Sequence, residues 1–523
     1  MLKLKRTTLF YPLAGVAALA SCGGEKKAEQ NSPLNIIYIM TDDHTRQMMS
    51  CYDNRHIETP NLDRIAADGV IFRNAYVANS ISGPSRACLL TGKHSHANGK
   101  LDNHTVFDGS QQTVQQLLKE NGYQTAMIGK WHLDSEPTHF DHWEILPGQG
   151  HYYNPEFITP QGRTHYKGYV TDIITDMGVE WLDKQRDKEK PFVLFLHHKV
   201  AHRIWMSDTT HLTLFEDKQF ELPENFYDDY AGRVAASRHE MGIYKDMDLT
   251  YDLKMLHPTL ETRLGKAYEH GEYARLDSAQ KAAWDGHYQP IIDQFIEADL
   301  QGRELAEWKY QRYMRDYAKT VQSLDENVGR LLDYLEENGM LENTVIFYTS
   351  DQGFYMGEHG WFDKRFMYEE SFSTPLVMHL PKRFKKRGEI DQLVQNIDFA
   401  PTMLDVAGIE IPSDIQGVSL LPLLKRDRAP RHWRKSLYYH YHEFPGEHAV
   451  RRHYGVKTER YKLIHFYGED IDEWELFDLE SDSLEMHNLY GEPGNETLVK
   501  ELKAELKRLQ ILYEDPILEK YPL

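Results

Sequence analysis

LNIIYIMTDD, residues Leu34–Asp43, is a short apolar run rich in β-branched side chains that ends in two carboxylates. Such a near-continuous apolar pattern is typical of a parallel strand that helices bury on both faces. Because ligands of such folds bind beyond the carboxyl ends of the strands, polar strand endings predict one shared site. Three further runs share the pattern and the polar ending: Tyr123–His132 (YQTAMIGKWH), Phe192–His198 (FVLFLHH) and Thr344–Gly353 (TVIFYTSDQG).

Helical patterns separate these strands, which predicts an α/β fold with a large, mainly parallel central sheet sandwiched by helices. The clearest helical segments each close with glycine and cover Thr59–Gly69, Ser110–Gly122 and Val321–Gly339. Residues from about 203 to 303 are acidic, aromatic and irregular, and we expect them to form an elaboration over the site.

The end of the chain predicts a smaller α+β subdomain, an antiparallel sheet plus a helix, over residues 431–523. We expect three strands there, in SLYYHYHEF, YGVKTERYKLIHFY and WELFDLE, followed by a helix in LVKELKAELKRLQILYED. Residues 34–430 then form the main α/β domain, which would carry the site.

The 523 residues carry a formal net charge of −21, and 41% of them are hydrophobic. This charge argues against a nucleic-acid partner, which needs a basic face, whereas a few cations in one cleft can still bind an anionic ligand. The 27 histidines suit metal or proton-transfer roles and are equally compatible with packing. Cys51 and Cys88 do not make a disulfide framework.

A positive end, MLKLKR, and an apolar run shorter than a membrane span open the sequence. The segment Leu19–Cys22 (LASC) then resembles the lipobox of bacterial lipoproteins, in which the cysteine is acylated and becomes the new N-terminus. This resemblance implies a signal peptide over residues 1–21 and a polar tether over residues 22–33. It also implies a location in the bacterial cell envelope, with a lipid anchor on Cys22 as the membrane attachment. A plain secretory signal with an incidental cysteine is the alternative.

SISGPSRACLLTG, residues Ser80–Gly92, contains the pattern Ser-x-Pro-Ser-Arg from Ser82 to Arg86 and ends in Thr-Gly. A helix-capping turn would explain Ser82 and Pro84, but it would leave Arg86 and the Thr-Gly ending without a reason. The stretch resembles the signature of the formylglycine-dependent sulfatases of the alkaline-phosphatase superfamily, in which a Cys or Ser at the first position is oxidised to an aldehyde. We identify it as the serine form of that signature.

Two acidic pairs resemble the metal ligands of this family: Asp42-Asp43 after the first strand and Asp351-Gln352 after TVIFYTS. These four oxygen donors, with Ser82 as a further member of the set, suit a hard cation, Ca²⁺ ahead of Mg²⁺. The family usually has Asn or His where Gln352 stands, and the carbonyl oxygen of Gln is a workable ligand. Taken singly, each acidic pair would equally fit a helix cap or a surface turn.

Four cationic residues match the family in the same order along the chain: Lys130 and His132 in GKWHLD, His202 in HHKVAHR and Lys364 in GEHGWFDK. Lys130 and His132 stand on alternate positions at a strand end, so both side chains can face one direction. The resemblance implies that Arg86 and Lys130 steady the aldehyde hydrate, and that His132 accepts its proton during elimination. It further implies that Lys364 binds a sulfate oxygen and that His202 protonates the departing sugar oxygen.

A sulfate monoester is strongly anionic and a poor electrophile, so its hydrolysis needs a good nucleophile, cations around the sulfonyl oxygens and an acid for the leaving alcohol. A hydrated aldehyde at position 82 offers a hydroxyl nucleophile. Loss of a proton from the second hydroxyl then re-forms the aldehyde and expels sulfate, an exit that a sulfated serine lacks. The serine form also implies a radical-type maturase that works without oxygen as a partner.

The family resemblance extends over nearly all residues after the tether. The stretches HHKVAHRIW and YYHYHEFPGEHAVRRHYG look like the subgroup that acts on 6-O-sulfated N-acetylglucosamine. We therefore expect a sulfated glycan of the heparan sulfate, keratan or mucin type as substrate, with His448, Arg451 and Arg452 as sugar contacts. A solvated basic turn explains the two arginines equally well.

Two other functions stay open at this point. A phosphate monoester or diester hydrolase of the same superfamily would attack with Ser or Thr between two metals, and it would need more metal ligands and no Pro-Ser-Arg motif. An inactive glycan-binding lipoprotein would have no use for a convertible serine.

Overall fold

Sixteen strands fall into three sheets in the computed structural model, which describes residues 33–426 and 428–523. In chain order they are β1 Asn35–Thr41, β2 Gly69–Phe72, β3 Ala75–Tyr76, β4 Gln124–Lys130, β5 His142–Leu146, β6 Glu156–Thr159, β7 Gly162–His165, β8 Phe192–His197, β9 Thr344–Ser350, β10 Leu376–His379, β11 Gly388–Ile390, β12 Val394–Gln395, β13 Ser436–Tyr441, β14 His453–Thr458, β15 Tyr461–Tyr467 and β16 Asp472–Asp478. The predicted signal peptide, Cys22 and all but the last residue of the predicted tether lie outside the described residues.

The central sheet has ten strands in the order β11-β2-β10-β9-β1-β8-β4-β5-β6-β7. The four strands predicted from the apolar runs are β9, β1, β8 and β4, which are neighbours in the middle of the sheet and run parallel. Antiparallel pairing by β10 on one side and by β6 and β7 at the far edge makes the sheet mixed. The predicted mainly parallel central sheet is confirmed.

Fourteen α-helices occur in the part of the chain that the structure describes. They are α1 Pro60–Ala67, α2 Ser82–Thr91, α3 Ser95–Asn98, α4 Val114–Glu120, α5 Val170–Glu180, α6 Val234–Ser237, α7 Gly265–His270, α8 Ser278–Ala298, α9 Gly302–Glu337, α10 Glu369–Phe372, α11 Phe399–Ala407, α12 Leu421–Lys425, α13 Glu496–Leu512 and α14 Ile517–Lys520. A π-helical turn, Trp181–Gln185, follows α5, and short 3₁₀ turns occupy Arg46–Met48, Tyr273–Arg275, Leu341–Asn343, Glu358–Gly360 and Asn396–Asp398.

Helices bury both faces of the central sheet, as the apolar pattern of the strands predicts. Along β1, Ile37 and Ile39 pack in the hydrophobic core that contains α5 and α9 residues. Tyr38 and Met40 point the other way, into the core that contains residues of α2, α4 and α11. This period-2 alternation is the geometry of a strand, and it places apolar side chains in two separate cores.

The region between residues 203 and 303 is more regular at its end than we expect from its composition. Helix α8 fills Ser278–Ala298, and its Asp277 side chain accepts hydrogen bonds from the N–H groups of Ala279 and Gln280. Buried Trp284 and Tyr288 stand four residues apart on one face of this helix. The capping box and this spacing were present in the sequence, and the expectation of an irregular region is wrong for this part.

The C-terminal sheet has four antiparallel strands in the order β13-β14-β15-β16, one more than the sequence predicts. The stretch YGVKTERYKLIHFY, expected to be one strand, folds back on itself because a turn at Glu459–Arg460 separates β14 from β15. Helix α13 packs Leu502, Leu506 and Leu509 on this sheet, so the predicted α+β architecture is confirmed. The boundary between residues 430 and 431 stays a prediction.

Within residues 33–426 and 428–523, no helix has the length and apolar character that crossing a membrane requires.

Candidate active site

The polar ends of the middle strands meet at one edge of the central sheet. In the β1–β9 register Thr41 lies opposite Ser350, so the pairs Asp42-Asp43 and Asp351-Gln352 leave the sheet side by side. The backbone N–H of Asp43 donates to Asp351 Oδ1 at 3.1 Å, which joins residues 308 positions apart. We call these four residues, together with Ser82, the strand-end site. Its position is that of ligand sites in parallel α/β sheets.

The donors of the strand-end site fit a metal ion. Gln352 Nε2 donates to Asp43 Oδ1 at 2.5 Å, which leaves Gln352 Oε1 buried without a hydrogen-bond partner. One ligand atom from each of Asp42, Asp43 and His202 lies within 4.8 Å of the others. Burial raises the pKa of Asp43 to about 7, and the neighbouring ammonium group of Lys364 offsets only part of this rise. An unpartnered amide oxygen beside buried carboxylates is the donor set that a hard divalent cation takes.

Ser82 is the first residue of helix α2, and its Oγ donates to Asp42 Oδ1 at 3.2 Å. The next residue, Gly83, has a steric reason to be glycine. A Cβ there would lie 2.7 Å from the Lys100 side chain and 3.3 Å from the carbonyl oxygen of His132. The helix ends at Gly92, whose φ of 65° is the left-handed conformation that glycine adopts without strain. The Ser-Gly-Pro and Thr-Gly elements therefore position the two ends of one short helix.

Arg86 and Lys130 neutralise the acidic pairs from within the protein. Arg86 Nη2 donates to Asp351 Oδ2 at 3.0 Å, and its Nη1 donates to the carbonyl oxygen of Lys130 at 2.8 Å. Lys130 Nζ in turn donates to Asp42 Oδ2. Burial raises the pKa of Asp351, but the charges of Arg86 and Lys130 outweigh it and hold this pKa below its usual value. The carboxylate of Asp351 therefore stays ionised and able to bind a cation.

Lys364 and His202 approach the site from the side of Asp43. Lys364 Nζ donates to Asp43 Oδ2 at 2.6 Å, and His202 Nε2 lies 3.8 Å from the same oxygen. The other ring nitrogen of His202, Nδ1, donates to the carbonyl oxygen of Arg203 at 2.6 Å. Since a carbonyl can only accept, the neutral ring carries its proton on Nδ1 and turns a bare Nε2 toward the site.

His132 lies two residues beyond the end of β4 with a φ of 54°, so the strand alternation that we expect for Lys130 and His132 stops at Lys130. Its Nδ1 is buried without a hydrogen-bond partner. Burial, reinforced by the charges of Lys130 and Arg86, keeps the pKa of His132 well below its ordinary value. The neutral ring is therefore able to accept a proton.

The three expected sugar contacts occupy different settings. His448 is buried, with Nδ1 donating to the carbonyl oxygen of Glu240 at 2.7 Å and Nε2 lying 3.2 Å from Asp363 Oδ2. Arg451 pairs with Asp470 at 2.7 Å, and Arg452 donates to the carbonyl oxygen of His442 at 2.7 Å. Of the three residues, only His448 contacts a sequence neighbour of Lys364, namely Asp363. Lys364 in turn hydrogen-bonds to Asp43 of the strand-end site.

The structure adds two polar residues that the sequence reasoning missed. The Gln149 side chain accepts a hydrogen bond from Lys130 Nζ, and its backbone carbonyl accepts one from Lys199 Nζ at 3.1 Å. Burial lowers the pKa of Lys199 to about 8. Lys199 lies in HHKVAHR, two residues after β8 ends. This position at a strand end could have marked it in the sequence as a candidate site residue. Gln149 lies in a loop and has no such signal.

Carboxylates, cations and a serine at the carboxyl ends of a parallel sheet suit the active site of a hydrolase that acts on anionic esters. Residues 34–409 match the family model "Sulfatase", and residues 357–511 match "N-sulphoglucosamine sulphohydrolase, C-terminal". The chain belongs to the sulfatase family, which implies a formylglycine and a metal ion. It is an enzyme, and this membership confirms the predicted sulfatase over the phosphatase and the inactive binding protein.

Relatives with known names support this membership. An N-acetylglucosamine-6-O-sulfatase of Bacteroides thetaiotaomicron is 50% identical over 98% of this chain and 92% of its own length. The human N-acetylglucosamine-6-sulfatase is 25% identical over 75% of this chain and 64% of its own length. A solved structure of a protein in complex with its substrate D-glucosamine-2-N,6-O-disulfate superposes with a TM-score of 0.89. It is 50% identical and covers 93% of this chain and 99% of that one.

Proposed function

We propose that this sulfatase removes the 6-O-sulfate from N-acetylglucosamine or N-sulfated glucosamine units of glycans of the heparan sulfate, keratan or mucin type. The observation that carries the proposal is the 50% identity, over 98% of this chain, to a relative named N-acetylglucosamine-6-O-sulfatase. The solved structure with a bound 6-O-sulfated glucosamine supports the same sulfate position.

Ser82 is the residue that we propose as the precursor of the formylglycine nucleophile. Its place at the N-terminus of α2 supports this role, because the backbone N–H groups and the helix dipole there favour a bound anion. Its Oγ lies 3.2 Å from Asp42 Oδ1, which keeps the reacting group beside the metal ligands. As the residue is a serine, a maturase that works without oxygen is the partner that would oxidise it.

We propose Ca²⁺ as the metal of the strand-end site, held by Asp42, Asp43, Asp351 and Gln352 with the group at position 82. All of the donors proposed are oxygens, and Gln352 contributes a neutral one, a set that suits Ca²⁺ better than a transition metal. When bound, this ion neutralises the carboxylates and polarises the sulfate ester.

Arg86, Lys130 and His132 would act on the nucleophile. Arg86 and Lys130 hold Asp351 and Asp42 in place through direct hydrogen bonds, so they fix the geometry around position 82. The buried Nδ1 of neutral His132 has no hydrogen-bond partner, and it would accept the proton that leaves during elimination once the charge of the bound sulfate offsets the cations that lower the pKa of this ring.

Lys364 and His202 would act on the substrate. Lys364 Nζ, now paired with Asp43, supplies positive charge for a sulfate oxygen. Burial and then the charges of Lys130 and Lys364 lower the pKa of His202. A bound sulfate ester offsets these cations, which favours the protonated ring that a general acid for the sugar oxygen requires.

His448, Arg451 and Arg452 stay in the proposal as sugar contacts of unequal weight. His448 touches Asp363 next to Lys364, and this supports a role near the sulfated sugar. The arginine side chains already hydrogen-bond within the protein, so each would have to exchange a partner on binding.

We also propose that the protein is anchored in the bacterial envelope through an acylated Cys22, on the evidence of the lipobox-like segment. Replacement of Cys22 by Ala should release the enzyme from the membrane fraction with its specific activity unchanged. If the variant stays in the membrane fraction, the anchor is not Cys22.

Two measurements on protein from a native-type anaerobic host test the function. Peptide mass spectrometry across Ser82 should find the loss of two hydrogens in active material, and unmodified serine in fully active protein would exclude the mechanism. Chromatography of matched saccharides should show desulfation of 6-O-sulfated N-acetylglucosamine and far slower reaction of 3-O- or 2-O-sulfated isomers. Equal rates on all isomers would remove the proposed sulfate position while leaving the sulfatase chemistry intact.

A further inference from the structure

A second cluster of potential metal ligands lies away from the strand-end site. It joins His96 of α3, His440 of β13 and Asp515 in the turn between α13 and α14, and we call it the junction cluster. One ligand atom from each residue lies within 4.8 Å of the others. All three side chains are at most 5% exposed. The cluster therefore joins the segment after the signature helix to the C-terminal sheet and to the end of the chain.

The geometry converges on one carboxylate oxygen. His440 Nδ1 lies 2.7 Å from Asp515 Oδ2, and His96 Nδ1 lies 3.1 Å from the same atom. The hydroxyl of Tyr438 also donates to it, at 2.8 Å. The other oxygen, Asp515 Oδ1, accepts the backbone N–H of Ile517 at 2.9 Å and so fixes the plane of the carboxylate.

The hydrogen-bond partners of His96 raise a valence problem that a cation solves. His96 Nε2 lies 2.8 Å from the backbone carbonyl of Tyr513, which can only accept, so Nε2 carries the proton of the neutral ring. His96 Nδ1 then holds a lone pair, and it lies opposite an acceptor oxygen of Asp515. No hydrogen bond satisfies this Nδ1. Two facing acceptors repel unless a positive charge lies between them.

The outer partners of the two histidines are those of metal-binding imidazoles. Such a ring normally donates its other N–H to a carbonyl, carboxylate or hydroxyl oxygen, which sets the tautomer and aims the bare nitrogen at the metal. His96 does so toward Tyr513, and His440 Nε2 lies 2.7 Å from the hydroxyl oxygen of Tyr467. Ligands bound at about 2.0–2.1 Å in a tetrahedron lie roughly 3.3 Å apart, so the two imidazole nitrogens, at 2.7 and 3.1 Å from Asp515 Oδ2, would move outward by a few tenths of an ångström to admit the ion.

We propose that His96, His440 and Asp515 form a structural metal site that takes a borderline-soft divalent cation of the Zn²⁺ class. Two imidazole nitrogens and one carboxylate are a Zn²⁺ donor set, whereas the all-oxygen ligands of the strand-end site suit a hard cation. The Tyr438 hydroxyl or a water completes four-coordination. The inference does not depend on the proposed substrate, and it assigns the ion to holding the C-terminal turn against α3.

A third histidine–carboxylate group serves as the matched control. His211 Nδ1 lies 2.6 Å from Asp208, and its Nε2 lies 3.1 Å from Glu326. Carboxylates on both sides raise the pKa of His211 to about 9, so a protonated ring satisfies every partner without a metal. The junction cluster differs because two imidazoles, His96 and His440, share the single carboxylate oxygen Asp515 Oδ2.

The test is metal analysis of the full chain, produced without a histidine tag and dialysed against ZnCl₂ and then against metal-free buffer. We expect about one equivalent of zinc per chain in the wild type. His96→Gln and His440→Gln should lose that zinc and unfold at a lower temperature. His211→Gln should retain it, and so should Asp42→Asn, which removes a ligand of the strand-end site.

Wild-type protein that retains no zinc would overturn the proposal, and so would zinc that persists in both cluster variants. If those variants do not fold, the Asp42→Asn protein loaded with Co²⁺ decides the question. Intense visible d–d absorption would indicate a tetrahedral site with nitrogen ligands. The absence of such bands would leave a protonated His96, not a metal, as the group that pairs with Asp515.

Discussion

The strand-end site and the junction cluster are both buried groups of carboxylates and basic side chains, yet they are built in opposite ways. At the strand-end site Asp42, Asp43 and Asp351 each pair with a lysine or arginine: Lys130, Lys364 and Arg86. At the junction cluster a single carboxylate, Asp515, meets two imidazoles and a tyrosine hydroxyl. The first group has an oxygen donor without a partner, Gln352 Oε1, and contains Ser82. In the second, both imidazoles also hydrogen-bond outward, to the carbonyl of Tyr513 and to the hydroxyl of Tyr467.

This difference separates a site for chemistry from a site for stability. Among the buried charges of the strand-end site, Gln352 Oε1 and His132 Nδ1 have no hydrogen-bond partner, so an ion and a substrate can use them. In the junction cluster all three side chains are at most 5% exposed, so a bound cation has no open approach for a substrate. We therefore expect changes at the first site to affect turnover, and changes at the second to affect unfolding.

The largest expected effect is at Ser82. Ser82→Ala removes the side chain that the maturase would oxidise, and we expect turnover to fall by roughly 10⁵-fold or more, since no neighbouring group can replace the nucleophile. Unfolding temperature and zinc content should stay at wild-type values. Ser82→Cys is the matched control, because cysteine is the other residue that carries this signature. Activity of the alanine variant within an order of magnitude of wild type would contradict the role of position 82.

His202 provides the next largest effect, and it depends on the leaving group. His202→Ala should slow hydrolysis of a sugar sulfate by roughly 10²–10⁴-fold, because an alkoxide leaves poorly without a proton. An aryl sulfate, whose phenolate leaves without help, should lose far less. Paired rates on the two substrates test this. Equal losses on both would assign His202 to positioning and not to proton transfer.

Metal removal distinguishes the two sites directly. A calcium-selective chelator should reduce turnover by roughly 10²–10³-fold, because carboxylates then face the sulfate without a counter-cation, and added Ca²⁺ should restore it. The same treatment should not change the difference in unfolding temperature between the wild type and the junction cluster variants. Restoration by Zn²⁺ but not by Ca²⁺ would contradict the assignment of a hard cation to the strand-end site.

The smallest effect is a pH dependence of stability at His211. Its pKa is raised from 6.5 in the unfolded chain to about 9, mainly by the hydrogen bond to Asp208. A raised pKa means that the stabilisation is complete below pH 6.5 and disappears as the pH rises through 9. His211→Gln should lack this loss, so the gap in unfolding temperature between the two proteins should narrow by roughly 1–2 °C between pH 6 and pH 9.5. A constant gap would show that the ring is not ionised.

Much of the fold and the site was predictable because its signals are short in sequence. The four buried strands each show an apolar run, and parallel pairing brings their polar ends to one edge, so Asp42, Lys130 and Asp351 could be grouped before the structure was known. The Ser82–Arg86 motif is likewise contiguous. The hairpin between β14 and β15 was missed because its turn, Glu459–Arg460, contains no glycine or proline to mark it.

The sequence by itself determined the strands, the signature helix and the identity of the residues proposed to perform the chemistry, because each depends on neighbours within a few residues. Only the tertiary structure decided which distant residues touch. Three contacts depend on how the chain returns to the same place: the close approach of Lys100 to Gly83, the hydrogen bond of the Gln149 side chain to Lys130, and the meeting of His96 with Asp515. No local sequence pattern predicts these long-range contacts, because the free energy that forms them comes from burying whole helices and strands against each other.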